Sequence, residues 1–248
     1  MKSLCIASSC AAAAVAAAFL PAIASAATVV GGSDLLSAAS ANQLESWLGQ
    51  GPLTLTNVFD KASGSTSDDF HAAADGKGAT FSIVEFLTDS TGKPFDKPVI
   101  VGGYNPQSWN SSAAGFNFTP LDVDRTAFVF SLTQSLKFDQ RQDASTTNYG
   151  QFQTLGYPNY GPTFGGGHDL SAGPADPSLN TGYSLLYSYG ADGDSSRSLV
   201  TYPGIHFGPM SVGQIEVFTI SAAVPEPETW ALMIGGLAWL GLAVRRRG

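Results

Sequence analysis

Apolar residues in this chain fall into short runs at strand or helix spacing, separated by stretches rich in Gly, Asn and Pro. Over 35–48, Leu44, Trp47 and Leu48 recur at helical spacing, Ser40 and Gln43 form a capping-box pair, and Gly49 stands where a helix-ending glycine belongs. This predicts a helix whose Trp47 covers a sheet face. Residues 53–59 alternate Leu and Thr and predict the first strand. Ser67 then suits an N-cap, backed by Asp68 and Asp69, for a short helix carrying Phe70 and His71, and Asp75-Gly76 with Gly78 turns the chain. Over 79–87 both alternations are apolar, Phe81, Ile83 and Leu87 against Val84 and Phe86, which predicts a central strand covered on two sides. Residues 98–104 read as its antiparallel partner, with Gly102-Gly103 where another backbone or a bulge comes close. Further strands are predicted over 126–132, 183–189 and 212–220, with 136–138 pairing or extending and 199–207 irregular. Residues 105–121 form a surface loop anchored by Trp109, Phe116 and Phe118, while 139–180 has poor strand signals. A loop that long is functional or hides short strands.

The two ends read differently from the body. Lys2, an alanine-rich apolar run over 6–20 and Ala24-Ser25-Ala26 predict a signal peptide cleaved after Ala26. Cys5 and Cys10, the only cysteines, fall in that segment, so a mature chain starting at Ala27 holds its fold without disulfides. At the other end, residues 230–244 form an apolar run of 15 residues, about 22 Å as a helix, followed by Arg245, Arg246 and Arg247. A short single transmembrane helix follows from this, with the arginines held in the cytoplasm and the domain outside. The expected division is a signal peptide at 1–26, one domain at 27–221, a proline-containing linker at 222–229 and a membrane tail at 230–248.

Val224-Pro225-Glu226-Pro227, the apolar run and the basic terminus together resemble a PEP-CTERM sorting signal. That resemblance implies an exosortase-type membrane protease as partner, residence in the inner membrane before processing, and final transfer to the surface or extracellular matrix of a Gram-negative bacterium. The body has its own resemblance. Phe70-His71, Asp75-Gly76-Lys77-Gly78, Gly102-Gly103-Tyr104 and Trp109, then 126–132, 164–170 and 215–220, resemble the TLDc domain in order and spacing. Where that family commonly has cysteine before Asp-Gly-Lys-Gly, this chain has Ala74. The expected fold class is therefore α+β and mainly β: two packed antiparallel sheets with short helices, plus the signal peptide and the C-terminal helix. The resemblance implies a non-catalytic binding domain.

Charge narrows the partners. The chain is 44% apolar, 13% charged and carries −8; loss of Lys2 and the three arginines lowers 12 basic residues to eight, and loss of Glu226 and Glu228 lowers 20 acidic ones to 18, leaving about −10. Nucleic acid has no basic patch to bind, and a polyanionic matrix would meet a repelling field; a matrix polysaccharide or surface partner is the expected ligand class. His71, His168 and His206 lack zinc spacing, no G-x-S-x-G elbow is present, and Asp75-Gly76-Lys77-Gly78 lacks phosphate-loop spacing. Asp122/Asp124 and Asp192/Asp194 have the spacing of calcium loops without the remaining ligands, so they read as turns, and no metal or cofactor is assigned. Asn110 and Asn117 open glycosylation sequons. The most site-like cluster is Gly166, Gly167, His168 and Asp169, and Glu216 of the last strand, facing solvent or partly buried, is a separate candidate. Two further readings stay open: a glycan hydrolase using two of Glu216, Asp169 and Asp75, which needs them about 5–10 Å apart, and a passive matrix component.

Overall fold

The computed structural model describes residues 26–142, 149–173, 177–190, 197–204 and 208–223. Residues 1–25 of the expected signal segment, including Ala24, the sorting motif, the membrane tail, Asp192, Asp194 and His206 lie outside them, whereas Ala26 is described. In chain order the elements are β1 (Thr28–Val30), α1 (Ala38–Leu48), β2 (Leu53–Asp60), α2 (Ser67–Ala74), β3 (Thr80–Thr88), β4 (Pro94–Asn105), β5 (Phe116–Phe118), β6 (Phe128–Ser131), β7 (Leu136–Asp139), β8 (Phe152–Leu155), β9 (Thr163–Phe164), β10 (Leu170–Ala172), β11 (Thr181–Tyr183) and β12 (Met210–Ala222).

Two layers form, joined through one strand. The first runs β1-β2-β12-β3-β4-β6-β7 and the second β5-β8-β9-β10-β11. Val217 to Thr219 of β12 pair with β2 on one edge and β3 on the other, while Met210 and Ser211 pair with β11. An irregularity between Val212 and Ile215 re-aims the strand between those partners. The expected pair of separate antiparallel sheets is thus one hydrogen-bonded path, and β1 lies parallel to β2.

The apolar pattern of β3 places it in the middle. Val84 and Phe86 join Val101, Val129, Trp109, Phe164 and Leu170 in the core between the layers. Phe81 and Ile83 face the opposite side with Tyr104, Phe128, Phe130 and Phe218, roofed by Ala41 and Leu44 of α1. Trp47 of α1 lies 5.7 Å from the Phe130 ring, as the helical spacing predicts. Leu87, at the outer end of β3, is instead exposed.

Several local expectations shift. Helix α1 starts at Ala38, capped by Ser37, whose side chain accepts from the Ser40 amide at 3.1 Å. The amides of Asp34, Leu35 and Leu36 bond to Glu216 and the Ser33 hydroxyl, which pins this segment to β12 ahead of the helix. Helix α2 is capped one residue before Ser67, by Thr66, with Asp69 accepting from the Thr66 amide at 2.8 Å. The long Gly/Pro-rich stretch hides β8, β9 and β10, and the loop after Trp109 contains β5, whose Phe118 is exposed rather than an anchor. The strand expected over 183–189 stops at Tyr183, because the amides of Tyr187, Ser188 and Tyr189 all converge on one Asp169 oxygen. Consecutive strand amides point to opposite edges and cannot do that. Residues 199–203 form turns in place of an irregular strand.

Gly103 sets the gap between the layers. A Cβ there would stand 2.5 Å from the Phe164 ring of β9, so only glycine admits that ring onto β4. Gly103→Ala is expected to lower stability by about 1–3 kcal/mol through overpacking. In denaturant unfolding the midpoint should fall with the slope unchanged; an unchanged midpoint would mean the layers are not held at this contact.

Candidate functional site

The Phe70-to-Trp109 motif builds a clasp. Phe70 leaves α2 into the core, meeting Trp109 edge-on at 5.3 Å, and Trp109 meets Phe164 in the same way at 5.4 Å. The indole N–H donates to the Thr80 hydroxyl at 2.9 Å. Asp75 closes the end of α2: its carboxylate accepts from the Ser111 amide at 2.8 Å and hydroxyl at 2.6 Å, and lies 2.8 Å from His71 Nδ1. His71 Nε2 faces the Tyr160 carbonyl at 2.9 Å and the Tyr157 carbonyl at 3.1 Å. Gly76 and Gly78, both with positive φ, aim their amides at the Trp109 carbonyl and the Ser108 hydroxyl. Burial pushes the Asp75 carboxyl up, but the Ser111 donors and His71 outweigh it and hold the group below its ordinary value. Both ring nitrogens of His71 are engaged, so the motif joins α2, β3 and the Trp109 loop and presents no free base.

The turn at Gly165 to Asp169 is a second, separate arrangement. Gly165 has φ 77°, and an added Cβ would stand 1.9 Å from Asp169 Oδ2, so glycine is required for the carboxylate to fold beneath the turn. Asp169 is fully buried, and its Oδ1 accepts the amides of Tyr187 at 2.6 Å, Ser188 at 2.7 Å and Tyr189 at 2.9 Å. Its Oδ2 has no hydrogen-bond partner among the described residues. Burial therefore prevails over the three amides and pushes the Asp169 carboxyl up to about 7. His168, itself at positive φ, stacks on Tyr160 at 5.8 Å, and burial lowers its pKa. The Gly166 amide donates to the Ser188 hydroxyl, and a Cβ at Gly167 would meet the Tyr187 side chain at 2.6 Å.

Glu216 does not join that cluster. It lies buried on β12 and accepts from the Ser33 hydroxyl and the amides of Asp34 at 2.6 Å and Leu35 at 3.2 Å. Burial raises its pKa, against those donors, with Asp60 adding to the rise. Asp75, Asp169 and Glu216 thus share no hydrogen-bonding partner. Asp122 pairs with Arg125 at 2.6 Å, and no group of three potential metal ligands occurs among the described residues. Asn110 caps a 3₁₀ turn, and Asn117 donates to Thr154.

Sequence reasoning missed Arg125, which is 3% exposed and donates to the carbonyls of Thr119, Pro120 and Arg141. Nearby, Gln140 donates to the Gly150 carbonyl and accepts from Gln153 at 3.2 Å. The available signal was a single arginine immediately before an apolar strand in a chain poor in charge.

Asp75 and Asp169 make opposite contributions with pH. Asp75, lowered on folding, adds stability above its unfolded value of 3.8 that is lost as pH falls through its lowered folded value; Asp75→Asn should weaken the fold at neutral pH, and its deficit against the wild type should shrink as pH drops below 3.8. Asp169, raised on folding, loses stabilisation as pH climbs from 3.8 to about 7. Asp169→Asn keeps the oxygen that accepts three amides, so it should gain on the wild type across that window, by an amount on the order of a few kcal/mol. Parallel stability profiles for wild type and Asp169→Asn between pH 4 and pH 8 would show that Asp169 is ionised throughout.

The TLDc domain family matches residues 30–221, and the PEP-CTERM protein-sorting motif matches residues 223–247. No curated protein matches the chain at a significant level. The sorting motif implies export, membrane anchoring before processing, and exosortase, a membrane protease, as the processing enzyme. With most of its length matched, and with the Phe-His and Asp-Gly-Lys-Gly positions joined to Trp109 in one clasp, the chain belongs to the TLDc domain family.

Proposed function

We propose that this chain is a cell-surface or extracellular-matrix protein whose TLDc domain is a non-catalytic binding module, released from its membrane anchor by exosortase cleavage. The observation that supports binding over catalysis is the commitment of the motif side chains. His71 and Asp75 spend their polar atoms on each other and on backbone or hydroxyl groups of the fold, Glu216 on two amides and a hydroxyl, and Asp169 spends one oxygen on three amides. A base or nucleophile must instead face a substrate within hydrogen-bond reach. The adjoining sorting motif supports work outside the cytoplasm, where an acidic, cysteine-free body stays soluble in either redox state.

Fractionation of the native host with and without its sorting protease tests delivery. The mature protein should appear at the surface or in the matrix with the protease, and stay at full mass in the inner membrane without it. Purified mature domain should bind matrix polysaccharide saturably and release no sugar. Glycan turnover would overturn the non-catalytic reading, and linear, non-saturating binding would leave only a passive matrix role.

A further inference from the structure

Both ends of the folded domain leave from one place. Thr54, the second residue of β2, pairs with Thr28 of β1 on one side and with Ser221 of β12 on the other. Two strand spacings separate β1 from β12, so the chain enters and leaves the sheet roughly 10 Å apart. Each end is pinned. The Ala27 amide donates to Asn42 Oδ1 of α1 at 2.9 Å, and the Ala223 amide donates to the Pro52 carbonyl at 2.8 Å. Ala27 follows the expected signal cleavage site, and Ala223 directly precedes Val224 of the sorting motif.

From the pinned Ala223 to Trp230, where the apolar run begins, the chain has six intervening residues, 224–229. Fully extended, that tether reaches roughly 25 Å. A domain of this size has a radius of gyration of roughly 16 Å, so the tether is no longer than the body it carries. The domain cannot turn its far end to the bilayer while Ala223 stays bonded to Pro52. The exposed residues of the exit loop, Gly49, Gln50, Gly51 and Pro52, are uncharged, and the one carboxylate beside it, Glu45, is turned inward onto the Leu53 amide at 2.9 Å. In a chain with a net charge of −8, a loop that exposes no acid can approach lipid closely.

We infer that the pole formed by Ala27, the loop from Gly49 to Pro52 and Ala223 rests on the lipid surface while the tail is attached, so that the sorting protease meets its motif in the narrow gap between this pole and the membrane. The inference rests on the anchoring reading above. It adds an orientation of the domain, with the opposite pole, the β3–β4 turn around Lys93, pointing away. Thr80 and Thr88 bound β3, which sets the two poles roughly 27 Å apart.

The absence of cysteine from the mature body permits a direct test. The chain from Ala27 to Gly248, with either Gln50→Cys or Lys93→Cys, is labelled with a fluorophore and reconstituted into phosphatidylethanolamine–phosphatidylglycerol vesicles that carry a spin-labelled lipid quencher. Both residues are exposed, so labelling should leave the fold intact. The label at position 50 should lose most of its emission, and the label at 93 should keep it. Inserting a Gly-Ser spacer of about 20 residues between Ala223 and Val224, with an r.m.s. reach of ~25 Å, should abolish the difference. If the chain floats with the vesicles but both labels are quenched alike, or if the spacer has no effect, the orientation is wrong while anchoring stands. If the chain does not float with the vesicles, anchoring and orientation both fall.

Discussion

Strand β12 is bonded to three other strands, and the architecture depends on that sharing. Its carboxyl half fills the gap between β2 and β3, while its first residues turn to β11 and start the second layer. Buried backbone amides and carbonyls must be paired, so a strand with two occupied edges cannot shift without breaking both ladders. Glu216 extends the dependence to the amino terminus. Its buried carboxylate is satisfied by Ser33, Asp34 and Leu35, and those residues in turn fix where α1 begins and how β1 reaches β2.

The polar interior follows the same logic. A chain with 13% charged residues still buries Arg125, Asp169 and Glu216. Each is held mainly by backbone groups: Arg125 by three carbonyls, Asp169 by three amides, Glu216 by two amides and a hydroxyl. Backbone partners pin irregular segments that lack ladders of their own. That is how the described parts of the stretch from Gln140 to Tyr189, with strands of two to four residues, are held against one another. With no disulfide available, these charges and the Phe70–Trp109–Phe164 stack hold what a cross-link holds in many exported domains.

The clasp and the exit pole are complementary features of one sheet end. Thr80, where β3 starts beneath the clasp, pairs with Thr219 of β12 and Asn105 of β4, only a few residues from Ala223. The hydrogen-bonded clasp thus borders the segment that a membrane protease must reach. Rigidity there limits how far the motif can be drawn from the body and gives the short tether its orienting effect.

The amino-acid sequence by itself determined the elements with strong periodicity: α1 under Trp47, α2 before Asp-Gly-Lys-Gly, the doubly covered β3, its glycine-bearing partner β4, and the closing strand. Those signals are local, because burial on one or two faces writes a period directly into neighbouring residues. The motif residues were also legible, as was the sorting tail. Tertiary structure alone decided that Asp169 would gather the amides of Tyr187 to Tyr189 and break an apolar run that reads as a strand. It alone decided that Glu216 would hold a segment more than 180 positions away, apart from the His168 turn. Tertiary structure also decided that two layers would share β12 and that both chain ends would flank Thr54. In each case the deciding partner lies far along the chain, and a buried charge or an open strand edge takes whichever complementary group the fold delivers; no local pattern records that choice.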